Sequence, residues 1–254
     1  MDALLYILIF GFLMSLIAWI GITTLAIKEK ALEKLLLILV AFSAGALLGG
    51  AFLHLIPESI EESGDGLGMM IWVLIGFAIF FLLEQFLRWQ HSHRIPMEQR
   101  KEREPVGVLI LLADGIHNFI GGLAIASSFM VSFEVGLITW IAAAAHEIPQ
   151  ELGDFGILLN SGWKKRKALL ANFLSALTII PGGIITYFLS ANLDTLFLLP
   201  FAAGNFIYIA ASDLIPEIKH GKKDYGESVF TRLGHFVAFI VGIIFILAIR
   251  LVFG

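Results

Sequence analysis

Long apolar stretches dominate the chain and are broken at intervals by short charged runs. A helical span needs roughly 20 mostly apolar residues to cross about 30 Å of hydrocarbon. Eight runs meet that requirement, at approximately 3–27, 35–57, 67–87, 106–131, 135–159, 168–189, 196–216 and 233–253. None shows the two-residue alternation of a barrel strand, so each is predicted as a helix, the form that satisfies its own backbone groups in lipid. The first run is too long for a signal-peptide core and carries Asp2 where basic residues would be needed, so it counts as a span. The pattern predicts an all-α membrane protein of eight transmembrane helices. Residues 1–254 are expected to form a single transmembrane unit, with a cytoplasmic loop at 88–104.

Composition strengthens this reading. Hydrophobic residues make up 58% of the 254 positions and charged residues 15%, with a mean hydropathy of +0.89. Soluble domains carry about 45–50% apolar and about 25% charged residues. A net charge of −4 provides no basic field for nucleic acid, so no nucleic-acid partner is expected. The chain has no cysteine, which excludes disulfides, zinc–thiolate sites and cysteine catalysis.

Charge placement sets the orientation. Lys28, Lys30 and Lys34 fall in the first loop, and Arg88, Arg94, Arg100, Lys101 and Arg103 in the third. Lys164, Lys165, Arg166 and Lys167 fall in the fifth, and Lys219, Lys222, Lys223 and Arg232 in the seventh. Those alternate loops hold sixteen of the seventeen basic residues, and Arg250 is the exception. By the positive-inside rule they are cytoplasmic, and both termini are extracytoplasmic. Short loops without an ectodomain suggest a microbial plasma (inner) membrane.

An internal repeat accompanies the layout. His54-Leu55-Ile56-Pro57-Glu58 begins nine residues after Gly45, and Asp213-Leu214-Ile215-Pro216-Glu217 begins nine after Gly204. On the predicted topology the two segments run in opposite directions. That is the trace of an inverted repeat, spans 1–3 mirroring spans 6–8 around a central 4–5 pair, a construction common in secondary transporters.

Ionisable groups at bilayer depth are expensive and mark pathways. Here they concentrate in two spans. In the fourth, Asp114, His117 and Asn118 share one helical side. In the fifth, His146 lies one turn from Gln150, Glu147 one turn from both Gln150 and Glu151, and Asp154 continues that side. Imidazole with carboxylate suits zinc, iron, manganese or cadmium, whereas copper(I) favours sulfur. The two polar faces are therefore expected to form a metal or proton site, with Zn2+, Fe2+, Mn2+ or Cd2+ as the suitable ions and no organic cofactor. Pro149 cannot donate to the carbonyl of Ala145, which is left among the candidate ligands for an ion or water. His235 is expected at the interface, Glu84 near the headgroups, and His91 and His93 in a solvated loop. Asn172 is open between ligand and packing residue.

His146-Glu147-x-x-Gln150 nearly spells the H-E-x-x-H of zinc proteases. An intramembrane zinc metalloprotease is the enzymatic alternative, and a non-metal solute carrier is a third. Gln150 in place of the second histidine and Pro149 in the helix argue against a hydrolase, which needs a fixed three-ligand site with an open water position.

At these residues the sequence resembles the ZIP (Zrt- and Irt-like protein) family of divalent metal transporters. His117-Asn118-Phe119-x-x-Gly122-Leu123-Ala124-Ile125 resembles its fourth-span motif, and His146-Glu147-Ile148-Pro149-Gln150-Glu151-Leu152-Gly153-Asp154-Phe155 its fifth. His54-Leu55-Ile56-Pro57-Glu58 and Gly204-Asn205-Phe206-Ile207-Tyr208 also read as family sequence. The resemblance implies a transporter moving zinc, and often iron, manganese or cadmium, into the cytoplasm through a two-metal site between spans four and five. It places His117, His146 and Gln150 at first-site positions and Asn118 and Glu147 at second-site positions, with Gln150 or Glu151 near both. Gly121 stands where the family usually has an acidic residue and Gln150 where it often has histidine. Asp114, one turn before His117, is a candidate to compensate. Expected partners are divalent metal ions and membrane lipid, with a homodimer left open.

The orientation is directly checkable, because any introduced cysteine is the only one present. A membrane-impermeant thiol reagent should leave a cysteine placed within 88–104 unlabelled in intact cells and label it after permeabilisation. Labelling from outside would reverse the topology.

Overall fold

A computed structural model describes residues 3–25, 29–93, 104–220 and 229–253. Among them there is no strand. The helices are α1 (Ala3–Ser15), α2 (Glu29–Gly50), α3 (Ile56–Ser63), α4 (Gly66–His93), α5 (Glu104–Val131), α6 (Phe133–Asn160), α7 (Lys165–Ala176), α8 (Ile179–Leu189), α9 (Leu198–Ile209), α10 (Ile215–His220) and α11 (Val229–Phe253).

Several predicted spans are subdivided. The first passes from α-helix into a 3-10 segment, Leu16–Leu25. The sixth changes register at Leu177 and Thr178, between α7 and α8. A π-helical segment, Ala51–Leu55, joins α2 to α3, and another, Ala210–Leu214, joins α9 to α10. Each is followed at once by Ile-Pro-Glu, so both copies of the repeated motif carry the same backbone irregularity. In both, proline removes an N–H from the helical ladder, and the wider turn accommodates the loss.

Among the described residues, six helical segments are long and apolar enough to cross a membrane: Ala3–Thr23, Lys34–Ser63, Gly66–Gln85, Ile110–Val131, Lys165–Leu189 and Phe230–Phe253. The predicted fifth and seventh spans fall outside this group for identifiable reasons. Helix α6 is 28 residues long but carries His146, Glu147, Gln150, Glu151 and Asp154. Leu198–Leu214 is apolar but short. The protein is a multi-pass membrane protein. Helix α4 runs on to His93, past the apolar segment and into the predicted cytoplasmic loop 88–104. Residues 94–103 of that loop lie outside the described residues.

Helix α2 packs along α11, α4 along α9, and α5 along α8; α2 also lies on α6, which ties the layers together. Large apolar side chains such as Leu67, Leu74, Leu82, Phe188, Phe230 and Leu251 remain exposed, the surface a lipid environment covers.

Close crossings hold these pairs. A Cβ on Gly45 of α2 would stand 1.9 Å from the Phe239 carbonyl oxygen of α11, and one on Gly242 2.1 Å from that of Phe42. The α4–α9 crossing repeats this: Gly204 would meet the Val73 oxygen at 2.0 Å and Gly76 the Phe201 oxygen at 2.1 Å. In both crossings the carbonyl lies three residues before the partner's glycine. Only hydrogen at Cα permits such backbone contact, and small residues at helix interfaces serve this purpose in lipid, where no hydrophobic drive distinguishes protein from solvent.

Gly45→Ala should therefore lower stability by about 1–3 kcal/mol, the usual cost of overpacking. Gly156→Ala, whose added methyl meets nothing within 4 Å, should be neutral or gain up to about 1 kcal/mol from reduced chain entropy. Unfolding in detergent checks both, and equal effects would show that the crossing is not tight.

Candidate metal centre

The polar residues of α5 and α6 meet where these helices pack together inside the bundle. His117 Nε2 lies 3.1 Å from His146 Nε2, 3.2 Å from Glu147 Oε1, and that oxygen lies 3.4 Å from His146 Nε2. A tetrahedral ion with ligands at about 2.0–2.1 Å sets ligand atoms about 3.3 Å apart. The three atoms thus already stand at the corners of one face of such a site. His146 and Glu147 are buried and His117 partly so. The two rings meet edge to face, with centroids 5.3 Å apart.

A second grouping adjoins the first through Glu147. One carboxylate oxygen each of Asp114, Glu147 and Glu151 lies within 4.8 Å of the others, and all three residues are buried. Asp114 is the best-supported of them. Its Oδ1 accepts from Asn118 Nδ2 at 2.9 Å and from Gln150 Nε2 at 3.1 Å, and its Oδ2 from Ser175 Oγ at 2.6 Å. Glu151 accepts from Asn172 Nδ2. Glu147 has the two imidazoles for partners, and it is the carboxylate that faces them.

The predicted residues therefore divide. His117, His146 and Glu147 converge. Asp114 and Glu151 stand behind Glu147, and Asn118 bonds Asp114 through its amide nitrogen, which leaves its Oδ1 without a partner. The Gln150 amide nitrogen is turned to Asp114. Asn172, undecided from sequence, is the donor to Glu151. Ser175 was missed; its place one turn after Asn172 on α7 was the available signal. One expectation is corrected. The Ala145 carbonyl freed by Pro149 is not open for an ion, because Ser43 Oγ of α2 donates to it at 2.5 Å. His235, near the start of α11, is buried among protein side chains. Glu84 accepts from Tyr208. The side chains of His91 and His93 lie outside the described residues.

Two larger cavities flank the centre. One of about 470 Å3 reaches His117, His146, Gln150 and Asp154 from beside Leu36, Leu83, Glu84 and Asp213. The other, about 430 Å3, is lined by His54, Glu58, Glu61, Glu134 and Arg250. Between them, Met14, Ala143, Ile125 and Phe206 close over the imidazoles.

Known proteins resemble this chain along most of its length. The profile of the ZIP zinc transporter family matches residues 1–107 and 90–250. The chain belongs to the ZIP family. Zinc transporter zipt-7.2 of Caenorhabditis elegans is 34% identical over 82% of this chain and 57% of its own length. The Zinc transporter ZIP13 homolog of Drosophila melanogaster is 33% identical over 75% of this chain and 72% of its own. Zinc transporter YKE4 of Saccharomyces cerevisiae is 34% identical over 76% and 64%. This ZIP-family chain thus spans little more than half of the worm relative's length.

Asp114 organises donors from three helices, so its removal should destabilise the fold without any metal present. Asp114→Ala removes the acceptor of Gln150 and leaves Ser175 and Asn118 only their backbone acceptors, the Asn172 and Asp114 carbonyls, at about 1–3 kcal/mol for a donor that stays dry. A fall of about 1–3 kcal/mol is expected in detergent unfolding with chelator present. Wild-type stability would show that Asp114 is not the hub.

Proposed function

We propose that this chain carries divalent metal, zinc foremost and also iron, manganese or cadmium, across the membrane into the cytoplasm through the centre between α5 and α6. One observation carries the reading: His117, His146 and Glu147 hold three ligand atoms 3.1–3.4 Å apart, close to the spacing around a tetrahedral ion. Asp114 and Glu151 add negative potential behind them. Asn118 and Gln150 are neutral members of the same shell and suit an ion that must be released as well as bound. The relatives' names as zinc transporters support the same substrate.

The architecture we infer is one transmembrane domain of eight spans, with α6 and the Leu198–Leu214 segment crossing beside the six more apolar ones. Burial of the polar side of α6 against its neighbours supports that count. Matching π-helical segments before Ile56-Pro57-Glu58 and Ile215-Pro216-Glu217 support an inverted repeat. So does the pairing of α2 with α11 and of α9 with α4, since exchanging spans 1–3 with 6–8 converts one pair into the other. With both termini outside, the larger cavity lies on the side of the basic loops, so the ion leaves toward the cytoplasm. A plasma (inner) membrane site accords with the short loops.

The protease alternative draws no support from the geometry. Glu147 Oε1 lies against two imidazoles, and the residue in place of the second histidine directs its amide nitrogen to Asp114.

Radiolabelled zinc uptake into proteoliposomes tests the reading. Wild type should accumulate zinc, and His117→Ala and Glu147→Ala should each lose about tenfold or more, at least the loss seen when supporting residues of metal sites are removed. Unchanged uptake in both variants would sink the site.

A further inference from the structure

The ligand atoms described so far all come from α5 and α6, yet one further polar side chain closes on the same point from α9. We propose that Asn205 supplies its Oδ1 as an additional ligand to the divalent ion held by His117, His146 and Glu147. The proposal rests on the metal reading above and adds a third helix to the site.

Asn205 is 3% exposed, and its Oδ1 has no hydrogen-bond partner. It shares a small cavity of about 10 Å3 with His117, Asn118, His146 and Glu147. That is about the room needed by one water-sized sphere or one ion. A buried carbonyl oxygen without a protein donor is costly. A cation beside the imidazoles satisfies it.

The neighbours of Asn205 fix its position. Gly204 is held against the Val73 backbone of α4, and the Phe206 ring meets His146 edge-on, with centroids 5.9 Å apart. Position 205 is thus locked in register at the cavity. Gly121 opens the same cavity from α5, and a Cβ there would meet nothing within 4 Å. A neutral amide oxygen from α9 thereby serves the side of the site where α5 offers no side chain. Three ligands from α5 and α6 leave one tetrahedral corner, and an oxygen donor completes it.

The absence of cysteine makes a direct test available. Asn205→Cys places one thiolate at the proposed ligand position. X-ray absorption of the zinc-loaded protein should then show a zinc–sulfur shell at about 2.3 Å that wild type lacks. Ala203→Cys, buried on the same helix but not on the cavity, should show none. Separately, Asn205→Ala should weaken zinc affinity about tenfold, read from zinc-dependent thermal shifts, while Asn205→Asp should retain or tighten it. A folded Asn205→Cys protein that binds zinc with only nitrogen and oxygen neighbours would overturn the proposal. Equal zinc affinity in the Ala and Asp variants would overturn it as well, and decides the matter if the cysteine variant does not fold. Failure of wild type to bind zinc would instead remove the metal centre itself, and this ligand with it.

Discussion

Burying carboxylates beside imidazoles, away from water, is the constraint on which the rest of this molecule depends. Two like charges 4 Å apart repel by about 4 kcal/mol at an effective dielectric of 20, and Asp114, Glu147 and Glu151 crowd within 4.8 Å. The protein meets this repulsion unevenly. Ser175, Gln150 and Asn118 donate to Asp114, and Asn172 donates to Glu151. Glu147 faces only His117 and His146. Amide and hydroxyl donors therefore stabilise two carboxylates, and the imidazoles of His117 and His146 stand against the third. The helices must then pack closely enough for side chains on α5, α6 and α7 to reach one point.

The same lack of solvent governs the backbone. Proline in a helix frees a carbonyl, and in water that carbonyl would be hydrated. Here Ser43 of α2 donates to the Ala145 carbonyl released by Pro149, and Arg250 of α11 donates to the Leu53 carbonyl released by Pro57. Each proline thus generates a contact between helices rather than a defect. Ser43 matters most for the site, because it ties α6 to α2 at the residue immediately before His146. Reciprocal glycine contacts at the α2–α11 and α4–α9 crossings bring backbones near enough for such bonds to form.

How much of this could be read along the chain follows from the range of each interaction. Asp114 with Asn118 is an i, i+4 pair on one helix, so periodicity alone placed them together. The convergence of His117 with His146 followed from two polar faces that had no lipid to face. Gln150 behaved differently: helical spacing grouped it with His146, but a neighbouring carboxylate captured its amide nitrogen. The Ala145 carbonyl looked free until the position of Ser43, more than 100 residues earlier, was known. Asn205 carried no signal beyond an amide in an apolar run.

The sequence by itself determined the membrane environment, the placement of apolar runs and the helix faces that carry the polar groups. These depend on composition and on a 3.6-residue period, both of which are local. Tertiary structure alone decided which carboxylate faces the imidazoles, which helix satisfies each freed carbonyl, and that α9 brings Asn205 to the cavity beside His117 and His146. Those outcomes depend on crossings between segments distant in the chain, and no local period encodes the neighbour a helix face will meet.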